Sequence, residues 1–243
     1  FREWRQRQTG RSVGFVPTMG ALHEGHATLL RRARGENDLV VLSIFVNPTQ
    51  FNDLNDFQKY PKTWEADVAV ARDEKVDAIF APRRADMYPD DYHLKVTEDS
   101  LSKILCGASR PGHFDGVLTV VMKLFQIVSP QRAYFGEKDF QQLSLIRKMV
   151  DAFFMPLTIV PVATVREQDG LAKSSRNMRL SPEQREKAPL IYKIIKSARS
   201  ESEARSQLEQ QGFRVDYVTD VESRRFVAVF MGEVRLIDNV ELA

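Results

Sequence analysis

Residues 39–46 form a nearly unbroken run of β-branched and other apolar side chains, and this run restricts the fold more than any other segment. A strand covered on only one face alternates apolar and polar residues, whereas a continuous apolar run of this length indicates a strand buried on both faces. Such strands occur mainly in parallel sheets, because each crossover connection lays a helix against the sheet. The run therefore predicts an α/β protein.

Shorter apolar segments recur along the first two thirds of the chain, separated by stretches whose apolar residues have helical spacing. The strands predicted in this way lie at residues 13–16, 39–46, 76–81, 133–135 and 157–162. The alternation is typical of a Rossmann-like, doubly wound parallel sheet, in which ligands bind beyond the carboxyl ends of the strands. Tyr92 to Thr97 is expected to add an edge strand.

The alternation ends after Thr164, where a polar, loop-like segment follows. Beyond it the pattern predicts two helices and then three short strands, at residues 213–219, 226–231 and 234–237. We therefore expect two domains: residues 1–165 form the Rossmann-like sheet, and residues 166–243 form a smaller α+β domain.

Charge and cysteine content restrict the function. The 35 Lys and Arg residues nearly balance the 33 Asp and Glu residues, which argues against an extended nucleic-acid-binding surface. Neither an apolar run of roughly 18 residues nor a secretory signal sequence is visible. The single cysteine, Cys106, suits a reducing compartment and is expected to be a structural thiol. We expect a cytoplasmic protein that binds neither nucleic acid nor a membrane, with a natural N-terminus before Phe1.

The loop after the first predicted strand is the strongest candidate site. It reads Met19-Gly20-Ala21-Leu22-His23-Glu24-Gly25-His26, and a helix is expected to begin within it. A strand, a turn of small residues and a helix N-terminus bind phosphate through unpaired backbone N–H groups and the helix dipole. His23 and His26 share a helix face, and their imidazoles can donate hydrogen bonds to phosphoryl oxygens. The alternatives are a metal site, for which no third ligand follows at zinc-like spacing, and an inert helix start.

Two further polar segments follow predicted strands. Asn47-Pro48-Thr49-Gln50-Phe51 offers amide groups for a small polar substrate, although a plain turn would have the same composition. The second segment is Gly136-Glu137-Lys138-Asp139, with Gln142 beyond it. Its glycine lets the backbone approach a ligand closely, its lysine is a mobile cation for phosphate, and its aspartate can cap the following helix. A solvated charged turn would explain this second segment equally well.

Lys173-Ser174-Ser175-Arg176 is dense in hydroxyl and cationic donors. Such a segment suits a mobile clamp on polyphosphate, and the alternative is a solvated linker between domains. Because the chain has neither a Walker P-loop nor a Gly-x-Gly-x-x-Gly element, ATP would have to be bound by the turn that contains His23 and His26.

Taken in order, these motifs resemble the pantoate–β-alanine ligase (pantothenate synthetase) family of the nucleotidyltransferase superfamily. The His-x-Gly-His and Lys-Met-Ser-Lys-Ser-like signatures of that superfamily match residues 23–26 and 173–176. The resemblance covers nearly the whole chain and is carried by residues 17–26, 43–51, 110–114, 136–139, 174–177 and 235–239.

The resemblance implies an enzyme with two steps in one site. A pantoate carboxylate attacks the α-phosphorus of ATP, which gives pantoyl adenylate and pyrophosphate. The amine of β-alanine then attacks the acyl carbon, which releases pantothenate and AMP. The family is typically a homodimer whose smaller C-terminal domain closes over the ATP site.

The resemblance also implies roles for particular residues. The catalytic residues would be His26, His23, Lys138, Ser174, Ser175 and Arg176, with His26 expected to bond phosphate rather than to transfer a proton. The ATP site would be lined by Met19, Gly20, Ala21, Leu22, His23, Glu24, Gly25, His26, Gly136, Glu137, Lys138, Asp139, Val165, Lys173, Ser174, Ser175 and Arg176. Gln50 and Gln142 would bind pantoate and β-alanine. Mg²⁺ is expected on the phosphates, with Asp67 as a ligand or an indirect partner.

The sequence leaves two other functions open. One is another adenylyl- or cytidylyltransferase of the same superfamily, for which a phosphorylated acceptor would call for cations in place of Gln50 and Gln142. The other is a non-enzymatic nucleotide sensor, which would keep the phosphate-binding turn without needing these glutamines. Lys173 departs from the family pattern, since an apolar residue is usual there.

Overall fold

The computed structural model of the chain describes residues 1–242, except for the side chain of Leu54. It divides into two compact units. The sheet unit contains residues 1–137 and 141–162, and the C-terminal unit contains residues 138–140 and the chain from Ala163 onward. The sequence division placed this boundary after residue 165 and kept residues 138–140 in the first domain.

The strands, in chain order, are β1 (Val13–Thr18), β2 (Leu39–Ile44), β3 (Ala78–Phe80), β4 (Arg132–Gly136), β5 (Thr158–Val162), β6 (Arg214–Val221), β7 (Arg224–Met231) and β8 (Val234–Glu241). The α-helices are α1 (Arg2–Gln6), α2 (Glu24–Glu36), α3 (Leu54–Gln58), α4 (Trp64–Asp73), α5 (Arg84–Met87), α6 (Cys106–Ser109), α7 (His113–Val128), α8 (Phe140–Ala152), α9 (Pro182–Lys187), α10 (Leu190–Ser197) and α11 (Glu201–Gln210). Short 3₁₀ turns cover Pro48–Gln50, Leu101–Lys103, Glu137–Asp139 and Ser175–Arg179.

The sheet unit is built on a parallel sheet with the strand order β3-β2-β1-β4-β5. The central strand β1 pairs along its whole length with β2, from Val13 opposite Leu39 to Thr18 opposite Ile44. On its other side β1 pairs with β4. The predicted buried run is confirmed, since residues 39–42 of β2 are almost completely excluded from solvent.

Helices cover both faces of this sheet, as the continuous apolar run requires. Alternate side chains of β1 point to opposite faces. Val16 packs with Leu29 and Leu30 of α2, while Phe15 meets Phe125 of α7 with ring centroids 6.3 Å apart. The predicted Rossmann-like, doubly wound α/β sheet is therefore confirmed.

The C-terminal unit contains an antiparallel sheet with the strand order β6-β7-β8. Side chains of this sheet and of α10 and α11 form one hydrophobic core. Arg225 on β7 is 1% exposed and forms a bidentate ion pair with Asp220, with bonds of 2.7 and 2.8 Å. Its Nη1 also donates to the carbonyl of Ala198 just beyond α10. Because this guanidinium satisfies carbonyl groups at the end of a helix, it ties α10 to the sheet. The predicted α+β character is confirmed.

The predicted edge strand at Tyr92 to Thr97 is wrong. Asp91 and Tyr92 have φ angles of 47° and 67°, which lie in the left-handed region and cannot continue an extended strand. The N–H of Val96 bonds to the Thr119 hydroxyl at 2.9 Å instead of to a neighbouring strand. A local apolar pattern does not reveal this, because the hydroxyl belongs to α7.

No helix within residues 1–242 has both the length and the apolar character to cross a membrane.

Gly116 lets α7 approach the loop after β2. A Cβ atom at this position would lie 2.5 Å from the carbonyl oxygen of Thr49 and 2.8 Å from the backbone nitrogen of Gln50. Both atoms belong to the backbone, so neither can rotate away.

We expect Gly116→Ala to lower the free energy of unfolding by about 1–3 kcal/mol, as overpacking of a close contact does. The matched control is Gly35→Ala in the last turn of α2, where nothing lies within 4 Å of an added Cβ. Alanine there should leave the stability unchanged or raise it slightly. Chemical denaturation of the two variants checks the difference, and equal stabilities would contradict the packing argument.

Candidate active site

The strand order places a topological switch at the centre of the sheet. From β1 the chain first builds outward through β2 and β3, and then crosses to the other side to add β4 and β5. In such sheets the loops that follow the two strands at the switch diverge and leave a crevice beyond their carboxyl ends. The segment Met19 to His23 follows β1, and Gly136 and Glu137 end and follow β4. The strongest sequence motif thus lies where the fold predicts a ligand.

Two imidazoles cap the start of α2. His23 is the N-cap residue, and its Nδ1 accepts a hydrogen bond of 3.1 Å from the backbone N–H of Gly25. The backbone N–H of His23 in turn donates to Nδ1 of His26 at 3.2 Å. The two bonds form a reciprocal capping box, and the ring centroids lie 4.1 Å apart.

These bonds determine the tautomer of both rings. A ring nitrogen that accepts a hydrogen bond carries no proton, so Nδ1 is bare in His23 and in His26. In neutral imidazoles the proton is then on Nε2, and both rings are N–H donors at that atom. Gly25 is part of the arrangement, since a Cβ there would lie 2.9 Å from Nδ1 of His23.

A buried carboxylate holds the turn between β1 and α2. Asp67 of α4 is 2% exposed, and its oxygens accept from the N–H of Ala21 at 3.0 Å and the N–H of Leu22 at 2.8 Å. Thr63, one helical turn earlier, donates its hydroxyl to the same carboxylate at 3.1 Å. Gly20 and Ala21 have φ angles of 82° and 50°, so the carboxylate stabilises a left-handed backbone.

The sequence argument that unpaired N–H groups of this turn bind phosphate is therefore wrong in part. The N–H groups of Ala21 and Leu22 bond to Asp67, and that of Gly20 bonds to the Thr18 hydroxyl at 3.2 Å. The carboxylate of Glu24, which was expected at the ATP site, forms an ion pair with Arg31 at 2.7 Å. In this motif we therefore expect phosphate to interact with the imidazoles and the helix dipole.

The loop after β2 presents Gln50 next to the same turn. Oε1 of Gln50 accepts from Nδ2 of Asn47 at 2.9 Å, and its Nε2 lies 3.3 Å from the sulfur of Met19. The backbone carbonyl of Gln50 is bonded by Nδ1 of His113 at 2.7 Å and by Arg110 at 3.1 Å. The Arg110-to-Phe114 motif, which carried the resemblance without an assigned role, thus anchors this loop.

The second predicted acceptor residue, Gln142, lies half-buried on α8. Its neighbour Gln141 is fully engaged: its side chain bonds to the N–H of Cys106 and to the carbonyls of Leu101 and Ile104. Gln141 therefore has a structural role, and Gln142 is the one of the pair that can serve a ligand. Cys106 is buried and forms no disulfide.

The C-terminal unit contains the other predicted nucleotide contacts, namely Lys138, Asp139, Val165, Lys173, Ser174, Ser175 and Arg176. The backbone N–H of Lys173 bonds to the carbonyl of Val165 at 2.9 Å, and the Ser174 hydroxyl caps the 3₁₀ turn by accepting from the N–H of Arg176. Arg166 supports this segment through a bidentate ion pair with Asp238 at 2.6 and 2.9 Å. The assignment of these residues to ATP stays a prediction.

In the described part of the chain, His, Cys, Asp and Glu side chains form no group of three or more that could hold a metal ion. Asp67, expected from the resemblance to be an Mg²⁺ ligand or an indirect partner, accepts a backbone N–H at each of its two oxygens. These contacts assign it a positioning role, which the spacing of Thr63 and Asp67 on one helix face could have suggested.

Known proteins resemble this chain along nearly its whole length. A family model described as Pantoate-beta-alanine ligase matches residues 1–241. A pantothenate synthetase from Bdellovibrio bacteriovorus is 65% identical over 242 residues, which are 100% of this chain and 96% of the relative. One from Legionella pneumophila is 50% identical and covers 94% of this chain and 90% of its own.

Solved structures give the same result. A pantoate-beta-alanine ligase from Francisella tularensis, crystallised in complex with beta-gamma ATP and beta-alanine, superposes with a TM-score of 0.95 at 42% identity. The match covers 99% of this chain and 94% of that one. A pantothenate synthetase from Thermus thermophilus superposes with a TM-score of 0.92 at 44% identity, covering 98% and 96% of the two chains.

We expect Asp67→Asn to weaken ATP binding about tenfold, because the new NH₂ group would face one of the two N–H donors of the turn. The Mg²⁺ concentration needed for half-maximal ATP binding should not change. Calorimetric titration with ATP at several Mg²⁺ concentrations measures both quantities. Thr63→Val, which removes one donor and keeps the carboxylate, should have a smaller effect. A steep rise in the Mg²⁺ requirement of Asp67→Asn would instead identify Asp67 as a metal ligand.

Proposed function

The chain belongs to the pantoate-beta-alanine ligase family, and from this membership we propose that it joins pantoate to β-alanine through a pantoyl-adenylate intermediate formed from ATP. The Francisella tularensis relative, described as a complex with beta-gamma ATP and beta-alanine, supports ATP and β-alanine as two of the substrates. Pantoate follows from the name of the family.

The proposed chemistry has two balanced steps. A carboxylate oxygen of pantoate attacks the α-phosphorus of ATP, and the bond from that phosphorus to the bridging oxygen breaks, so pyrophosphate leaves. The amine of β-alanine then attacks the acyl carbon, AMP leaves with the carboxylate-derived oxygen, and the new amide nitrogen loses a proton. A carboxylate is a poor acyl donor, and adenylation gives it a good leaving group.

The observation that carries this proposal is the reciprocal capping of His23 and His26 at the start of α2. Because Nδ1 of each ring accepts a hydrogen bond from a backbone N–H, the proton of each neutral ring is on Nε2, and the Nε2–H bond has a defined direction. Donors held in place at a helix N-terminus stabilise negative charge that builds on phosphoryl oxygens in the transition state. A role as proton donor would require repeated loss and gain of the Nε2 proton, which the capping bonds do not assist.

The remaining predicted residues complete the proposal. Gln50 and Gln142 would bind the acceptor side through uncharged amides, which suits a carboxylate or hydroxyl group better than a phosphorylated acceptor. This distinguishes the ligase from the alternative adenylyl- or cytidylyltransferase. Lys138, Ser174, Ser175 and Arg176 would neutralise the triphosphate as pyrophosphate leaves.

Mg²⁺ enters this proposal with ATP and not as a resident ion. The side chains within residues 1–242 do not fit a built metal site, since they form no group of three or more candidate ligands. Mg²⁺ commonly binds through substrate phosphates and keeps several waters. A homodimeric state and a cytoplasmic location belong to the same proposal and rest on the sequence and the resemblance.

We expect the purified enzyme to exchange labelled pyrophosphate into ATP only when pantoate is present, because the reverse of adenylation requires pantoyl adenylate. With β-alanine added, the nucleotide product should be AMP. Exchange without pantoate, or formation of ADP, would rule out the proposed reaction.

A set of substitutions at His26 separates the hydrogen bond that Nδ1 accepts from the proposed contact of Nε2–H with phosphate. We expect His26→Ala to slow adenylation by a factor on the order of 10²–10³, as for loss of one transition-state donor. His26→Asn can still accept the N–H of His23 but does not reach the position of Nε2, so it should be as slow as His26→Ala while keeping more of the stability. His26→Gln, whose amide nitrogen can take the place of Nε2, should recover part of the rate. Single-turnover assays and thermal unfolding give the two readouts, and an unchanged rate in His26→Ala would remove the residue from the mechanism.

A further inference from the structure

A buried network determines which way the Gln50 carboxamide points. Its oxygen accepts the 2.9 Å hydrogen bond from Nδ2 of Asn47, so its NH₂ group is the end that faces away from Asn47, toward Met19. A carboxamide has an acceptor end and a donor end of nearly equal size. The direction of Gln50 therefore decides whether a ligand meets N–H donors or a carbonyl oxygen.

The direction of Asn47 is determined in the same way. Asn47 is 1% exposed, and its Oδ1 accepts from the hydroxyl of Tyr88 at 2.7 Å and from the hydroxyl of Thr49 at 3.0 Å. Its Nδ2 donates to the carbonyl of Gly116 at 3.1 Å as well as to Gln50. A rotated amide would place its NH₂ group against the N–H of Thr49 and its oxygen against the Gly116 carbonyl.

Tyr88 is well suited to be the first donor of this series. It follows α5 and is 5% exposed, and burial raises the pKa of its phenol to about 12, so the hydroxyl keeps its proton. The ring is fixed by Lys123, whose Nζ lies 4.6 Å from the ring centroid and donates to the carbonyl of Met87 at 2.9 Å. The shortest hydrogen bond to Asn47 thus comes from a rigid, permanently protonated donor.

We propose that Tyr88 is a positioning residue of the acceptor subsite, which orients Asn47 and, through Asn47, presents the NH₂ group of Gln50 to the ligand. The proposal rests on the proposed function, in which Gln50 binds pantoate. It gives this subsite a defined chemical preference: the group that meets Gln50 must offer oxygen lone pairs, as a carboxylate or a hydroxyl does. A ligand that offers only N–H donors at this point would face the NH₂ group and be rejected.

The test is the steady-state kinetics of Tyr88→Phe in the full chain, which removes the hydroxyl and keeps the ring. We expect the KM for pantoate to rise about five- to tenfold, the size expected for loss of one buried hydrogen bond, while the KM for ATP and kcat at saturating pantoate stay within about twofold. A general loss of structure would raise both KM values or lower kcat, so this split separates positioning from stability.

Tyr92→Phe is the matched control, because it removes a neighbouring phenol that interacts with Thr119 and Thr49, and it reaches Asn47 only through Thr49. Its KM for pantoate should rise much less than that of Tyr88→Phe. Asn47→Asp is the second variant: it keeps the volume and removes the NH₂ donor to Gln50, so it should raise the KM for pantoate by itself. In the double variant, Tyr88→Phe should add little to the rise in the KM for pantoate, because both changes act through the hydrogen bond between Asn47 and Gln50.

The proposal is overturned if Tyr88→Phe leaves the KM for pantoate unchanged, if Tyr92→Phe raises it equally, or if the effects of Tyr88→Phe and Asn47→Asp add. These results would leave the proposed function intact, since that is judged by pantoate-dependent pyrophosphate exchange in the unchanged enzyme. Absence of that exchange would remove the proposed function first.

Discussion

The backbone N–H groups of Ala21 and Leu22 donate to the buried carboxylate of Asp67, and these bonds hold the turn between β1 and α2 on which the site depends. They stabilise a left-handed turn directly after the central strand, and this turn sets where α2 begins. The position of His23 and His26 follows from that start. Because the carboxylate occupies the turn amides, the function we propose assigns phosphate recognition to the imidazoles, unlike a glycine-rich phosphate loop, which uses its backbone.

The same principle governs the loop that contains Gln50, where buried polar groups orient one another. Each hydrogen bond in the series from Tyr88 through Asn47 to Gln50 has a donor and an acceptor end, so one fixed proton determines the direction of the next group. Arg110 and His113 hold the backbone of the same loop. The loop is therefore specified by groups from the start of α7, from the turn before α7 and from the segment after α5, all of them distant along the chain.

Much of the fold could be predicted because its signals are local. The apolar run at residues 39–46 indicated a strand buried on both faces, and it forms β2 beside the central strand. The prediction was wrong at Tyr92 to Thr97, where Tyr92 and the preceding Asp91 adopt left-handed angles that no apolar pattern reports. At the site, the motifs identified His23, His26 and Gln50 as candidate binding residues. They did not identify Thr63, which bonds to Asp67, or Tyr88, which bonds to Asn47.

The sequence by itself determined the type of sheet, the family resemblance and the residue types available at the carboxyl ends of the strands, since these depend on composition and short spacings. Only the tertiary structure decided how those groups are used. The oxygens of Asp67 accept hydrogen bonds from the turn amides, and Nδ1 of each imidazole accepts one from a backbone N–H. The physical reason is that the state of a polar group depends on which donor or acceptor meets it, and residues 21 and 67 meet only after the sheet has formed.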